Sequence, residues 1–134
     1  MIGQGSRTAV LAVVVILFTG MAYERNGLWF TMLTIWQDAA AKSPGKSRVH
    51  NNLGNCYILA DKHFRGIEEY RRAVALDSNN SEAYYNLGVN YENVGLMNQA
   101  VYYYDWFCKH APPGYREQRA QICKRVAELT RGAK

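Results

Sequence analysis

Leu53-Gly54 recurs as Leu87-Gly88 34 residues later, and Asn52 with Asn86, Tyr57 with Tyr91 and Tyr70 with Tyr104 keep the same offset. A fixed period of this length constrains the fold more than composition does. Each unit must be one supersecondary element that buries its apolar face only by stacking on the next. The residues at the repeated positions suit a helix pair. Glycine at 54 and 88 removes the Cβ where a second helix would approach. Tyrosines fill the space between paired helices and keep a hydroxyl for a partner. "DSNNS" (Asp77 to Ser81) and "HAPPG" (His110 to Gly114) carry the Asn, Pro and Gly that end one helix and turn into the next.

A period of 34 residues with "NLGNCY", Tyr70 and Ala73 in one copy, and "YYNLGVNY", Ala100, Tyr104 and Pro112 in the other, resembles the tetratricopeptide repeat. The register extends backward: Pro44, Ser78 and Pro112 fall at 34-residue steps, as do Ala39 with Ala73 and Trp36 with Tyr70. "LWFTMLTIWQDAAAKSP" therefore reads as the second helix of a leading half-repeat. Forward, Ile122, Cys123, Val126 and Leu129 form one apolar stripe among basic residues, the pattern of a terminal capping helix. The expected fold is all-α: a long hydrophobic N-terminal helix, then a solenoid of about two and a half helix-turn-helix repeats, then a C-terminal cap. Its segments are 1–26 (hydrophobic helix), 27–46 (half-repeat), 47–80 and 81–114 (repeats) and 115–134 (basic cap). Helices are expected at 8–42, with a break near Asn26-Gly27 left open, and at 47–60, 64–76, 81–94, 98–109 and 115–131.

Thr8 to Tyr23 is uncharged over 16 residues, with ten consecutive apolar residues from Ala9 to Phe18. At about 1.5 Å per residue it reaches roughly 24 Å, short of a hydrocarbon core of about 30 Å. Continuation to Trp29 and Phe30, with Tyr23 as a further interfacial aromatic, would close the gap. The expectation is a single-pass membrane anchor. Arg7 on its N-terminal side puts the repeats outside the cytoplasm, periplasmic or at the cell surface. A signal peptide with small residues at Gly20 and Ala22, and a buried core or assembly helix, are the alternatives.

Tyr23 to Gly54 also resembles the junction between the last transmembrane helix and the repeats of polytopic O-mannosyltransferase-like membrane proteins. Arg25-Asn26, Trp29, Leu33, Trp36, Asp38, Lys42, Ser43-Pro44, Arg48 and Asn52-Leu53-Gly54 carry that likeness. It implies a location rather than catalysis, since the other membrane spans are absent.

The composition argues for binding rather than chemistry. The net charge of +5 resides between Lys109 and Lys134, where seven Lys/Arg meet two Glu. Such a tail suits an anionic surface or nucleic acid, yet no aromatic interleaving or nucleic-acid motif accompanies it. It reads as a solvated helix face, with no nucleic acid expected. The three cysteines, Cys56, Cys108 and Cys123, form no CxxC pair, and with His50, His63 and His110 they give no metal spacing. They suit small buried positions, with a Cys108–Cys123 bridge open in an oxidising compartment. Glu68 and Glu69 diverge by about 100° on a helix, so Arg65, Arg71 and Arg72 are their expected ion-pair partners rather than a substrate. No enzyme, cofactor or metal is expected. "NNS" at Asn79 matches an N-glycosylation acceptor, a weak three-residue signal.

What the repeat resemblance implies is a groove lined by the first helix of each unit: Arg48, Asn51, Asn52, Asn55, Ile58 and Leu59, then Glu82, Tyr85, Asn86, Val89, Glu92 and Asn93, with Arg116 from the cap. Asn55, Asn86 and Arg116 match positions that grip a peptide carboxylate in such repeats, but Asn51 and Ala120 stand where cations would be needed. Asn52 and Asn86 serve equally as inter-helix hydrogen-bonding residues. The expected function is a membrane-anchored scaffold for a protein or peptide partner, including further copies of itself. A filament subunit built on the N-terminal helix and an accessory subunit of a membrane glycosyltransferase are the alternatives.

Overall fold

The computed structural model describes the backbone of residues 4–132 and the side chains of residues 10–19, 27 and 31–131. Six α-helices and one 3-10 turn follow in order: α1 (Gln4–Lys42), α2 (Ser47–Leu59), α3 (His63–Leu76), α4 (Ser81–Asn93), α5 (Met97–His110), the turn Pro113–Tyr115, and α6 (Arg116–Gly132). No strand occurs among the described residues. Each helix packs on its neighbours in sequence: α1 on α2, α2 on α3, α3 on α4, α4 on α5 and α5 on α6. That serial contact pattern is what a solenoid is.

The glycine of each hairpin sets its closeness. A Cβ added to Gly54 would lie 2.6 Å from the ring of Tyr70, and one on Gly88 would press into the ring of Tyr104. Tyr70 and Tyr104 are buried to the hydroxyl, which each tyrosine then satisfies: Tyr70 donates to Asn55 Oδ1 at 2.6 Å and Tyr104 to Glu92 Oε2 at 2.8 Å. The main core joins Ile67, Tyr70, Leu87, Tyr91, Ala100, Tyr104, Phe107, Ala111 and Ile122 across α3 to α6. A second cluster, Leu33 with Leu53 and Cys56, seats the C-terminal end of α1 on α2, flanked by Trp36, Ala40 and Tyr57. Turn chemistry is local. Asn80 caps α4 by accepting from the Ala83 N–H at 3.0 Å, and its amide donates to Ser47 Oγ at 2.8 Å, tying the start of α2 to the start of α4. Asp61 and Gly95, 34 residues apart, both take positive φ after α2 and α4.

Residues 4–42 form one helix, unbroken at Asn26-Gly27, so the hydrophobic segment and the half-repeat segment are continuous. One expectation is corrected. No helix among the described residues is long and apolar enough to cross a membrane. The expected single-pass anchor at Thr8–Tyr23, and with it the extracytoplasmic membrane localisation, is overturned by that finding. The physical reason is length: Arg7 and the Glu24-Arg25 pair bracket 16 uncharged residues, fewer than the roughly 20 a span needs. The side chains of Tyr23, Trp29 and Phe30, expected at an interface, lie outside the described residues. Within the run, the apolar side chains Val10 to Phe18, Ala12 aside, are 41–69% exposed.

Candidate functional site

The residues expected to line a groove lie on α2, on α4 and at the start of α6. Arg48 sits in the first turn of α2, exposed, and Arg116 opens α6, also exposed; neither has an ion-pair or hydrogen-bond partner among the described residues. Arg48 borders a cavity of about 360 Å3 whose other walls include Asn51, Asp77, Asn80, Glu82, Pro112 and Tyr115, whereas Arg116 lies outside it and shares only Pro112 with it through a neighbouring cavity. Asn79, the candidate glycan acceptor, is exposed in the α3–α4 turn and borders the same cavity.

The asparagines form a cluster rather than a row of free amides. Asn86 Nδ2 donates to Asn51 Oδ1 at 3.2 Å and to Asn55 Oδ1 at 3.3 Å, and Asn55 Oδ1 also accepts from the Tyr70 hydroxyl. Asn51 is 1% exposed, so α4 covers most of it. Asn90 donates to the Asn86 carbonyl at 2.9 Å, while its own Oδ1 is buried without a partner. Asn52 is half-buried and forms none of these bonds. Burial pushes the Tyr70 hydroxyl far above the usual phenol range, with the Glu82 charge acting the same way, so it stays a neutral donor to Asn55.

Further along these helices the surface becomes apolar. Leu59 is 53% exposed at the end of α2. Tyr85 and Val89 are half-buried on α4, packed against the core, with the Tyr85 ring 5.4 Å from that of Phe107. Ile58 likewise packs on the core, and Asn93 is exposed. Glu92 is engaged elsewhere. Arg125 of α6 grips Glu92 Oε1 through Nε at 2.8 Å and through Nη2 at 2.5 Å, while Tyr104 donates to Oε2. Burial raises the Glu92 carboxyl, but the bonds from Arg125 and Tyr104 outweigh it and hold the group below its ordinary value. These two bonds to one carboxylate oxygen fasten the cap to α4 and leave Glu92 already engaged.

Arg125 escaped sequence reasoning because its partner lies 33 residues away on a helix whose rotation no motif fixes. His50 escaped it as well. Its ring is buried between Glu69 Oε2 at 2.6 Å and the Pro44 carbonyl at 2.8 Å, joining the α1–α2 turn to α3. Glu69 and Glu68 both bind Arg72, at 2.8 and 2.6 Å, so these carboxylates are held in structural pairs as expected.

Residues 67–95 match the family model for the TPR repeat. The structure superposes on the Yersinia enterocolitica type III secretion chaperone SycD in complex with a peptide of the translocator YopD. That match has a TM-score of 0.75 at 11% identity and covers 92% of this chain and 95% of that one. The fold is a tetratricopeptide-repeat solenoid. The first TPR domain of Spaghetti (RPAP3), bound to the HSP90 peptide SRMEEVD, aligns with a TM-score of 0.68 at 15% identity, over 90% of this chain and 91% of that. The Sgt2 TPR domain from Aspergillus fumigatus aligns at 0.64 with 17% identity, covering 87% and 80%. No curated protein matches the chain in sequence. These likenesses support the repeat solenoid and give no support to kinship with O-mannosyltransferase-like membrane proteins.

Proposed function

We propose that this solenoid is a protein-binding scaffold that holds an extended peptide along α2, α4 and the start of α6. The observation that carries the reading is the pair of unpartnered arginines, Arg48 and Arg116, on a face whose middle offers an asparagine cluster and whose far end offers Leu59. Arginine binds carboxylates in a bidentate fork, so an acidic peptide end is the ligand chemistry that suits these two exposed side chains. Arg48, Asn52, Asn55, Leu59, Tyr85, Asn86, Val89 and Arg116 are the proposed contacts, with Asn51 positioning Asn86. Structural neighbours support this reading, two of them with peptides named in their complexes.

The test is selection from a displayed library of random peptides with free C-termini. Binders rich in Asp, Glu or a terminal carboxylate are expected, losing about ten-fold in affinity with Arg48→Glu and again with Arg116→Glu, since a charge-assisted bond contributes about 1.5–3 kcal/mol. Binders indifferent to both substitutions would refute it.

A second reading, self-assembly through the N-terminal part of α1, is favoured by the exposed run Val10 to Phe18. A helix apolar on every side is stable only when surrounded. Negative-stain images of ordered fibres that vanish with Leu17→Lys would support this reading; monomers at high concentration would end it.

A further inference from the structure

Cys108 in the last turns of α5 and Cys123 in α6 are joined by a disulfide, with their Cα atoms 5.6 Å apart. Both cysteines are half-buried. The Cys123 side of the bond borders a cavity of about 360 Å3, walled by Pro112, Pro113, Arg116, Arg119, Ala120 and Cys123. Cys108 is not among its walls, so a molecule in the cavity meets Cys123 first. Arg116 and Arg119 are exposed, and neither guanidinium has an ion-pair or hydrogen-bond partner among the described residues. Glu117 and Lys124, the other charged residues of this stretch of α6, are exposed, and neither forms an ion pair with Arg116 or Arg119 among the described residues. The mouth of the cavity therefore keeps the two arginine charges.

We propose that Cys123 is a thiol-exchange site for acidic low-molecular-weight thiols. The reacting species in such an exchange is a thiolate, which an adjacent cation attracts. A second anionic group on the same molecule, a carboxylate, meets the second arginine in the geometry guanidinium favours. The cavity has room for a molecule of tripeptide size. The incoming thiolate attacks Cys123 Sγ, forming a mixed disulfide as the Cys123–Cys108 bond breaks. The electron pair departs on Cys108, which takes a proton from solvent. This step involves no net oxidation. A second thiolate attacking the mixed disulfide releases Cys123 as a thiol and leaves the small thiol as its own disulfide. Once opened, α6 is held to the solenoid by Ile122 and by the Arg125–Glu92 pair, without a covalent tie to α5.

The experiment uses the air-oxidised full-length protein, with reduced glutathione as the acidic thiol and cysteamine as a cationic one. Reactions are quenched with acid and followed by intact mass, and the adduct is placed by peptide mapping. Glutathione is expected on Cys123, with Cys108 appearing as the free thiol. In the R116Q/R119Q double variant the ratio of glutathione to cysteamine rates should fall about ten-fold, and 0.5 M salt should lower it in the native protein. R116K/R119K should restore most of the ratio, separating charge from a change in fold. An adduct on Cys108, a ratio unmoved by R116Q/R119Q, or two free thiols persisting after air oxidation would overturn the proposal.

Discussion

Gly88→Ala tests the register of the repeats directly, because the structure demands opposite signs for one substitution at two glycines. At Gly27, inside α1, an added Cβ meets nothing within 4 Å. There alanine should stabilise by about 1 kcal/mol through helix propensity. At Gly88 the same gain is opposed by the Tyr104 ring, which an added Cβ would overlap at three carbons. Tyr104 has little freedom to retreat: it is 2% exposed, its hydroxyl is held by Glu92, and Phe107 and Ala100 pack beside it. Overpacking costs about 1–3 kcal/mol, and loosening a hydrogen bond to a charged group adds about 1.5–3 kcal/mol. After the propensity gain the net is a loss of about 1.5–5 kcal/mol. For a chain of this size that lowers Tm by roughly 10 °C. Circular-dichroism melts and urea titrations of both variants read it out. If Gly88→Ala raised Tm as Gly27→Ala should, the close approach of α4 and α5 would be wrong, and the repeat register with it.

Three further outcomes are expected. Glu92 titrates below its ordinary value in the folded protein, so its contribution is present in full above the unfolded carboxylate pKa and fades as pH falls through the folded one; Glu92→Gln should flatten the decline in urea stability between neutral and acid pH, leaving a gap from wild type at pH 7 that closes in acid. Asn86→Leu removes both donors to Asn51 and Asn55 and strands the buried Asn51 oxygen, at a cost of about 2 kcal/mol measured by chemical denaturation. Asp61, held at φ 58 where the equivalent position of the next repeat is Gly95, should gain up to about 1 kcal/mol on Asp61→Gly, read as a higher denaturation midpoint.

What the sequence revealed of this molecule follows from how local each signal is. Gly54 and Gly88 leave a one-residue mark at a fixed offset because each faces one ring, Tyr70 or Tyr104, and so the hairpins were legible. Their boundaries were too: α2 was expected at 47–60 and ends at Leu59, α5 at 98–109 and runs Met97–His110, since Asn80 and the Pro112-Pro113 turn act on adjacent backbone. Pairs between helices were not legible. His50 with Glu69, Arg125 with Glu92 and the realised Cys108–Cys123 bond depend on how one helix is rotated against another, which no short motif encodes. The groove was legible as a set of positions but not as a surface. Periodicity puts Asn51 on the first-helix face, whereas its burial depends on α4 lying over it. The N-terminal run misled for a simpler reason: hydropathy is local, but spanning is a matter of uninterrupted length, and Glu24-Arg25 ends the run too soon.

The central claim is that the first-helix face, rather than the outer helices, receives a polypeptide. Hydrogen exchange of the full-length protein with and without a library-selected acidic peptide tests it most directly. Added protection is expected in 47–59, in 81–93 and around Tyr115 to Arg119, with α3 and α5 (63–76 and 97–110) unchanged. Protection confined to α3 and α5 would contradict the account.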